Sequence, residues 1–136
     1  MSNNSIKILI VLLFIYSCGE KEKIDQILIP NKEKIIKEFG FTLNNFNVKK
    51  DTVNRGDSFG LILEKNNLFY PKIYNIVSEV KKVFDIRKIN IGRPYTILSS
   101  KDSLSKPEYF IYQPNSIDYI VVSLNDSLWA EKKQKE

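Results

Sequence analysis

The chain has 136 residues, 43% of them hydrophobic, with 21 Lys and Arg against 16 Asp and Glu, no His and a single Cys. That length bounds the fold to one or two small domains. Composition excludes a Cys–His dyad, a Ser–His–Asp triad and a His-based metal centre, and one Cys leaves no internal disulfide to hold the chain.

Residues 1–7 are short and polar and end in Lys7, residues 8–16 are an unbroken apolar run of nine, and Ser17, Cys18 and Gly19 are small. A basic start, an apolar middle and a small-residue cleavage zone predict a secretory leader over residues 1–17. A membrane-spanning helix needs about 20 apolar residues, and this run has fewer than half of them. Loss of Lys7 with the leader lowers the net charge from +5 to about +4. A mildly basic surface serves solubility or an anionic neighbourhood such as the cell envelope.

Residues 18–40 read as a polar tether and a short helix. Pro30 interrupts the apolar positions Ile24, Ile27, Leu28, Ile35, Ile36 and Phe39, so the helix is predicted over residues 32–39, closed by Gly40. Residues 44–47 are turn-rich, and "NVKKDTVNRG" is a strand approaching Gly56. In "GDSFGLILEKNN", Asp57 or Ser58 caps a helix that carries Phe59, Ile62 and Leu63 on one face until Asn66 and Asn67 break it. Pro71 opens a second helix, with Ile73, Ile76, Val77, Val80, Val83 and Phe84 as its apolar stripe. "RPYTILSS" is the next strand.

After Ser100 the pattern changes. "YFIYQP" and "DYIVVSL" are β-type runs separated by the turn "QPNSI", and "NDSLWAEKKQKE" begins another strand and then passes into charge. The fold class is therefore α+β: a β-α-α-β module over residues 41–100 followed by a small antiparallel β module over residues 101–136. Phe69 and Tyr70 in "NLFYPK" are expected as core or helix-leading residues, and export argues against nucleic acid as a partner. The five Gly are dispersed, so no phosphate cradle and no cofactor is expected.

Three stretches carry resemblances. "IYSC" resembles the lipobox of bacterial lipoproteins, which implies that Cys18 is diacylated on sulfur, becomes the new N-terminus and is acylated again on its amine. The chain would then be exported and anchored to a bacterial envelope membrane, the outer membrane above all. "TVNRGDSFGLILEKNN", "IYNIV" and "INIGRPYTIL" resemble a LysM module over residues 51–99, with Val53, Gly56, Asp57, Ser58, Phe59, Ile62, Ile73, Ile76, Gly92 and Ile97 at the matching positions. In such modules the loop after the first strand and the loop before the second form a shallow groove for N-acetylglucosamine chains. The resemblance therefore implies Gly56, Asp57, Ser58, Phe59, Arg87 and Gly92 as glycan-contacting residues. "FDIRKINIG" departs from the module in being longer and more charged than its usual Asn-containing stretch.

A wider resemblance covers almost the whole mature chain. "FDIRKINIGRPYTIL" and "YFIYQPNSIDYIVV" look like the N-terminal region of murein endopeptidases of the lysostaphin/LytM type. There, a LysM-like (opacity-associated-protein-like) module and a small β domain precede a zinc domain bearing His-x3-Asp and His-x-His ligands. This chain has no His, so the activity does not carry over. The sequence is expected to be a truncated or split family member: a non-catalytic, lipid-anchored module contacting peptidoglycan or covering a peptidase groove. Its partners would be the membrane, peptidoglycan and a peptidase domain. Two alternatives stand beside this: an N-terminal fragment of a zinc endopeptidase whose catalytic half is encoded downstream, and an adaptor lipoprotein without glycan affinity.

Overall fold

The computed structural model describes residues 33–135; Cys18 and the leader lie outside them. The chain opens with two short antiparallel strands, β1 (Lys37–Glu38) and β2 (Phe41–Thr42), and a 3-10 turn over Leu43–Asn45. Strand β3 (Asn47–Thr52) leads to helix α1 (Phe59–Lys65) and helix α2 (Lys72–Val80). A 3-10 turn over Ile86–Lys88 then precedes strands β4 (Pro94–Ser99), β5 (Pro107–Tyr112), β6 (Asp118–Ser123) and β7 (Trp129–Gln134). Helices with two antiparallel sheets make this an α+β fold.

Strands β3 to β7 form one antiparallel sheet in sequence order. β3 pairs with β4 from Asn47↔Ser99 to Thr52↔Pro94, so the two helices are an excursion between neighbouring strands. β4 also pairs with β5, with a register shift at Leu98/Ser99. The β-α-α-β segment and the strands after Ser100 thus share a single sheet.

Both faces of that sheet are covered. On one side Tyr95, Ile97, Phe110, Tyr112, Ile120 and Val122 meet Phe59, Ile62, Leu63, Ile73, Ile76 and Val80 of the helices. On the other side Leu98, Ile111, Tyr119 and Val121 meet Phe39 and Leu43, with Phe41, Phe46 and Tyr109 around them. Because side chains alternate along a strand, burial on both faces turns β5 and β6 into the unbroken apolar runs "YFIY" and "YIVV". Full burial of each such side chain contributes about 1.5–3 kcal/mol. Helices of seven and nine residues are marginal alone, so this packing is what maintains them.

The helix limits follow local chemistry. Ser58, not Asp57, is the N-cap of α1: its Oγ accepts from the Leu61 N–H at 3.2 Å. Asn67 closes α1 with φ of 63°, a left-handed conformation that Asn tolerates.

Three expectations are corrected. From Glu33 onward the helix foreseen over residues 32–39 is absent: residues 33–36 are irregular, and β1 and β2 form a hairpin. Phe39 and Gly40 form its two-residue loop, with φ of 57° and 82°, the all-positive pattern that matches strand twist. The charged end of the chain does not leave the sheet, because β7 pairs with β6 from Asp118↔Gln134 to Ser123↔Trp129. Its lysines suit an edge strand, where charge discourages pairing with other chains. Phe69 and Tyr70 lead into α2, the Phe69 carbonyl accepting from the Ile73 N–H at 3.2 Å, but they are exposed and not core; Leu68, the residue before them, enters the core instead.

Candidate functional site

The two glycine-bearing loops at the ends of β3 and β4 are tied together by backbone. The Gly92 N–H donates to the Val53 carbonyl at 2.8 Å, and the Val53 N–H donates to the Arg93 carbonyl at 2.9 Å. Gly56 and Gly92 have φ of 86° and 79°, and a Cβ added to either would meet nothing within 4 Å. Their glycines are required by backbone conformation, not by crowding.

Asp57 organises the first loop from within. Its Oδ2 accepts from the Asn54 N–H at 2.8 Å, and its Oδ1 is paired with the Lys65 ammonium at the end of α1. The Lys65 hydrogen bond first, and the Asn54 N–H next, hold its carboxyl below the usual carboxylate range. Asp57 therefore fixes a turn and a helix rather than standing free. Ser58 is occupied by its cap.

Phe59 is buried, its ring 5.3 Å from Phe110 in a T-shaped contact. Its side chain belongs to the core and offers no face to a ligand.

The second loop hangs on Tyr112. The Asn90 N–H donates to the Tyr112 hydroxyl at 2.9 Å, and the Phe84 ring lies 5.5 Å from the Tyr112 ring. Burial pushes the Tyr112 hydroxyl pKa up, so it stays protonated as an uncharged anchor. Arg87 is exposed and clasped by Asp85 through two contacts of 3.0 Å. Arg87 holds the Asp85 carboxyl down to about 2. Arg87 lines a depression with Lys81, Lys82, Val83 and Phe84, to which residues 56–59 do not contribute.

The predicted set thus divides. Gly56, Asp57, Ser58 and Gly92 belong to or cap joined loops, Arg87 stands on the next segment, and Phe59 faces inward. Sequence reading missed Ile91, an exposed apolar residue beside Gly92, and Lys65, the partner of Asp57. Ile91 was visible as an apolar residue inside "INIG"; the Lys65 pairing had no signal, since it spans the whole helix.

No protein-family model matches the chain, and no curated protein matches it. Among solved structures it is similar to a zinc-containing peptidase from Vibrio cholerae, with a TM-score of 0.55 and 15% sequence identity. The match covers 64% of this chain and 27% of that peptidase. At this identity the likeness is one of fold. The residues present do not fit zinc: the chain has no His and one Cys, and among the described residues no three Cys, Asp or Glu side chains gather as ligands.

Proposed function

We propose that this chain is a lipid-anchored, non-catalytic envelope module of the murein endopeptidase type, with a LysM-like β-α-α-β part. It would contact peptidoglycan, or a peptidase groove, through the joined loops at Gly56 and Gly92. The observation that carries the reading is the fold shared with 27% of a zinc-containing peptidase by a chain that has no His. Two further features support it. The loops are preorganised by Asp57 and Tyr112, and two exposed side chains, Ile91 and the Asp85-paired Arg87, combine an apolar contact with the guanidinium donors that Asp85 does not use. Acylation at Cys18 would hold the module at the envelope, since two or more lipid signals anchor stably.

Sedimentation with purified peptidoglycan sacculi tests it. The chain is expected to be retained weakly, and Arg87→Ala with Ile91→Ala, both on the surface, is expected to lower retention several-fold with the fold intact. Equal retention of the variant would refute the loop assignment.

The partial coverage of the peptidase supports a second reading, in which the chain is the leading part of a zinc endopeptidase. Sequencing the DNA downstream of Glu136 decides this, since a reading frame with His-x3-Asp and His-x-His would establish it.

A further inference from the structure

The sheet edge formed by β3 carries an apolar strip that the described residues leave open. Ile35, Ile36, Val48 and Leu104 are 64%, 51%, 39% and 82% exposed. Ile35 adjoins Ile36 in the chain. Ile36 and Val48 line one surface depression, and Val48 and Leu104 line a second.

Lys49 and Lys50 line the same two depressions, and further lysines lie on the neighbouring segments. Lys34, Lys37, Lys49, Lys50, Lys101 and Lys106 come from the same three segments, against Glu33, Glu38, Asp51 and Asp102. Glu38 is already paired with Lys50 at 2.7 Å. Asp102 is turned into its own loop, where it accepts from the Ser100 hydroxyl at 2.7 Å and from the Leu104 and Ser105 N–H groups. Lys49 donates to the neutral Asn66 amide at 2.8 Å and keeps its charge uncompensated by that contact. The collar is net positive.

We propose that this edge docks on the surface of an anionic lipid bilayer, with the four apolar side chains in the interface and the lysine collar against the head groups. The proposal rests on the reading of Cys18 as the acylated anchor. Two observations favour a bilayer over other occupants. The first is charge: a basic collar around exposed aliphatic side chains is the composition that anionic interfaces recruit.

The second is the chain between the anchor and the strip. About sixteen residues separate Cys18 from Lys34, a span that covalent geometry limits to at most roughly 55 Å. That tether joins the fold immediately before Ile35 and Ile36. It keeps the strip at a high effective concentration of lipid surface, so four side chains suffice where an untethered patch of this size would not.

The test uses the full acylated chain on vesicles of phosphatidylcholine with or without phosphatidylglycerol. Since acylation consumes the thiol of Cys18, Ile36→Cys, Leu104→Cys and Tyr74→Cys each introduce one labelling site for a polarity-sensitive fluorophore. Tyr74 is an exposed control on α2, across the sheet from the hairpin.

The Ile36 and Leu104 probes are expected to shift to the blue and to be quenched by a lipid-borne quencher in anionic vesicles. The Tyr74 probe should stay open to aqueous iodide. Lys34→Glu with Lys37→Glu and Lys101→Glu, all at exposed positions, should release the strip while the protein still floats with the vesicles.

Failure to float overturns the anchor and this proposal together. Flotation with the Ile36 probe as open to iodide as the Tyr74 probe overturns the docking surface alone. A probe shielded from both quenchers places a protein surface on the strip and overturns the lipid assignment, and equal quenching in neutral vesicles overturns the role of the lysines.

Discussion

Gly92 offers a clean test of how the candidate loops are built. Its φ is 79° and an added Cβ would meet nothing within 4 Å, so Gly92→Ala introduces no clash. The cost is that of forcing a non-glycine residue into the left-handed region, about 1–2 kcal/mol. Part of this is offset because Ala also restricts the unfolded chain, leaving a net loss of about 1 kcal/mol. The Gly92 N–H to Val53 bond of 2.8 Å is backbone and survives the change. For a domain of this size, 1 kcal/mol corresponds to a fall in Tm of about 4–8 °C. Gly92→Asn should lose less, since Asn tolerates the left-handed region. Urea unfolding with an unchanged m value is the assay. An Ala variant as stable as the parent, or an Asn variant worse than Ala, would refute the reasoning.

Other expectations follow from the same structure. Ser58→Ala removes the α1 cap and should cost about 1 kcal/mol in urea unfolding. Phe110→Ala, at a site fully enclosed by both helices and sheet, should cost about 3–5 kcal/mol, and a loss below 1 kcal/mol would mean that the helices do not cover this face. Asp118 is held down to about 2 by Lys132 first, at 2.9 Å, and by Asn115 and Gln134. Its folded pKa lies below its unfolded one, so its contribution is present above about pH 4 and lost as pH falls through about 2. Lys132→Met should move the Asp118 carboxyl titration, followed by NMR, back towards the ordinary range. Cys18→Ala should abolish metabolic labelling by an acyl probe, and undiminished label would remove the anchor.

The helices were legible because their signals are local. Ser58 caps within three residues, and Ile73, Ile76 and Val80 repeat with the helical period. The hairpin was not, because Ile35, Ile36 and Phe39 have helical spacing as well, and Gly40 serves equally as a helix stop and as the second residue of a tight turn. β7 was hidden by its charges. Pairing with β6 uses backbone groups, and with Ala130 on the inner face the intervening Lys and Glu side chains do not oppose it. In the candidate site the glycines were legible as backbone requirements. The inward turn of Phe59 onto Phe110 and the Asn90–Tyr112 tie depend on residues 51 and 22 positions away, which no local pattern encodes.

Under the function proposed above, the joined loops at Gly56 and Gly92 would contact peptidoglycan glycan. Titration of a soluble peptidoglycan fragment into the isotopically labelled chain, followed by backbone amide NMR, is the decisive measurement. Saturable shifts confined to residues 54–58 and 86–93 are predicted. Shifts clustered elsewhere, or none at millimolar fragment, would contradict it.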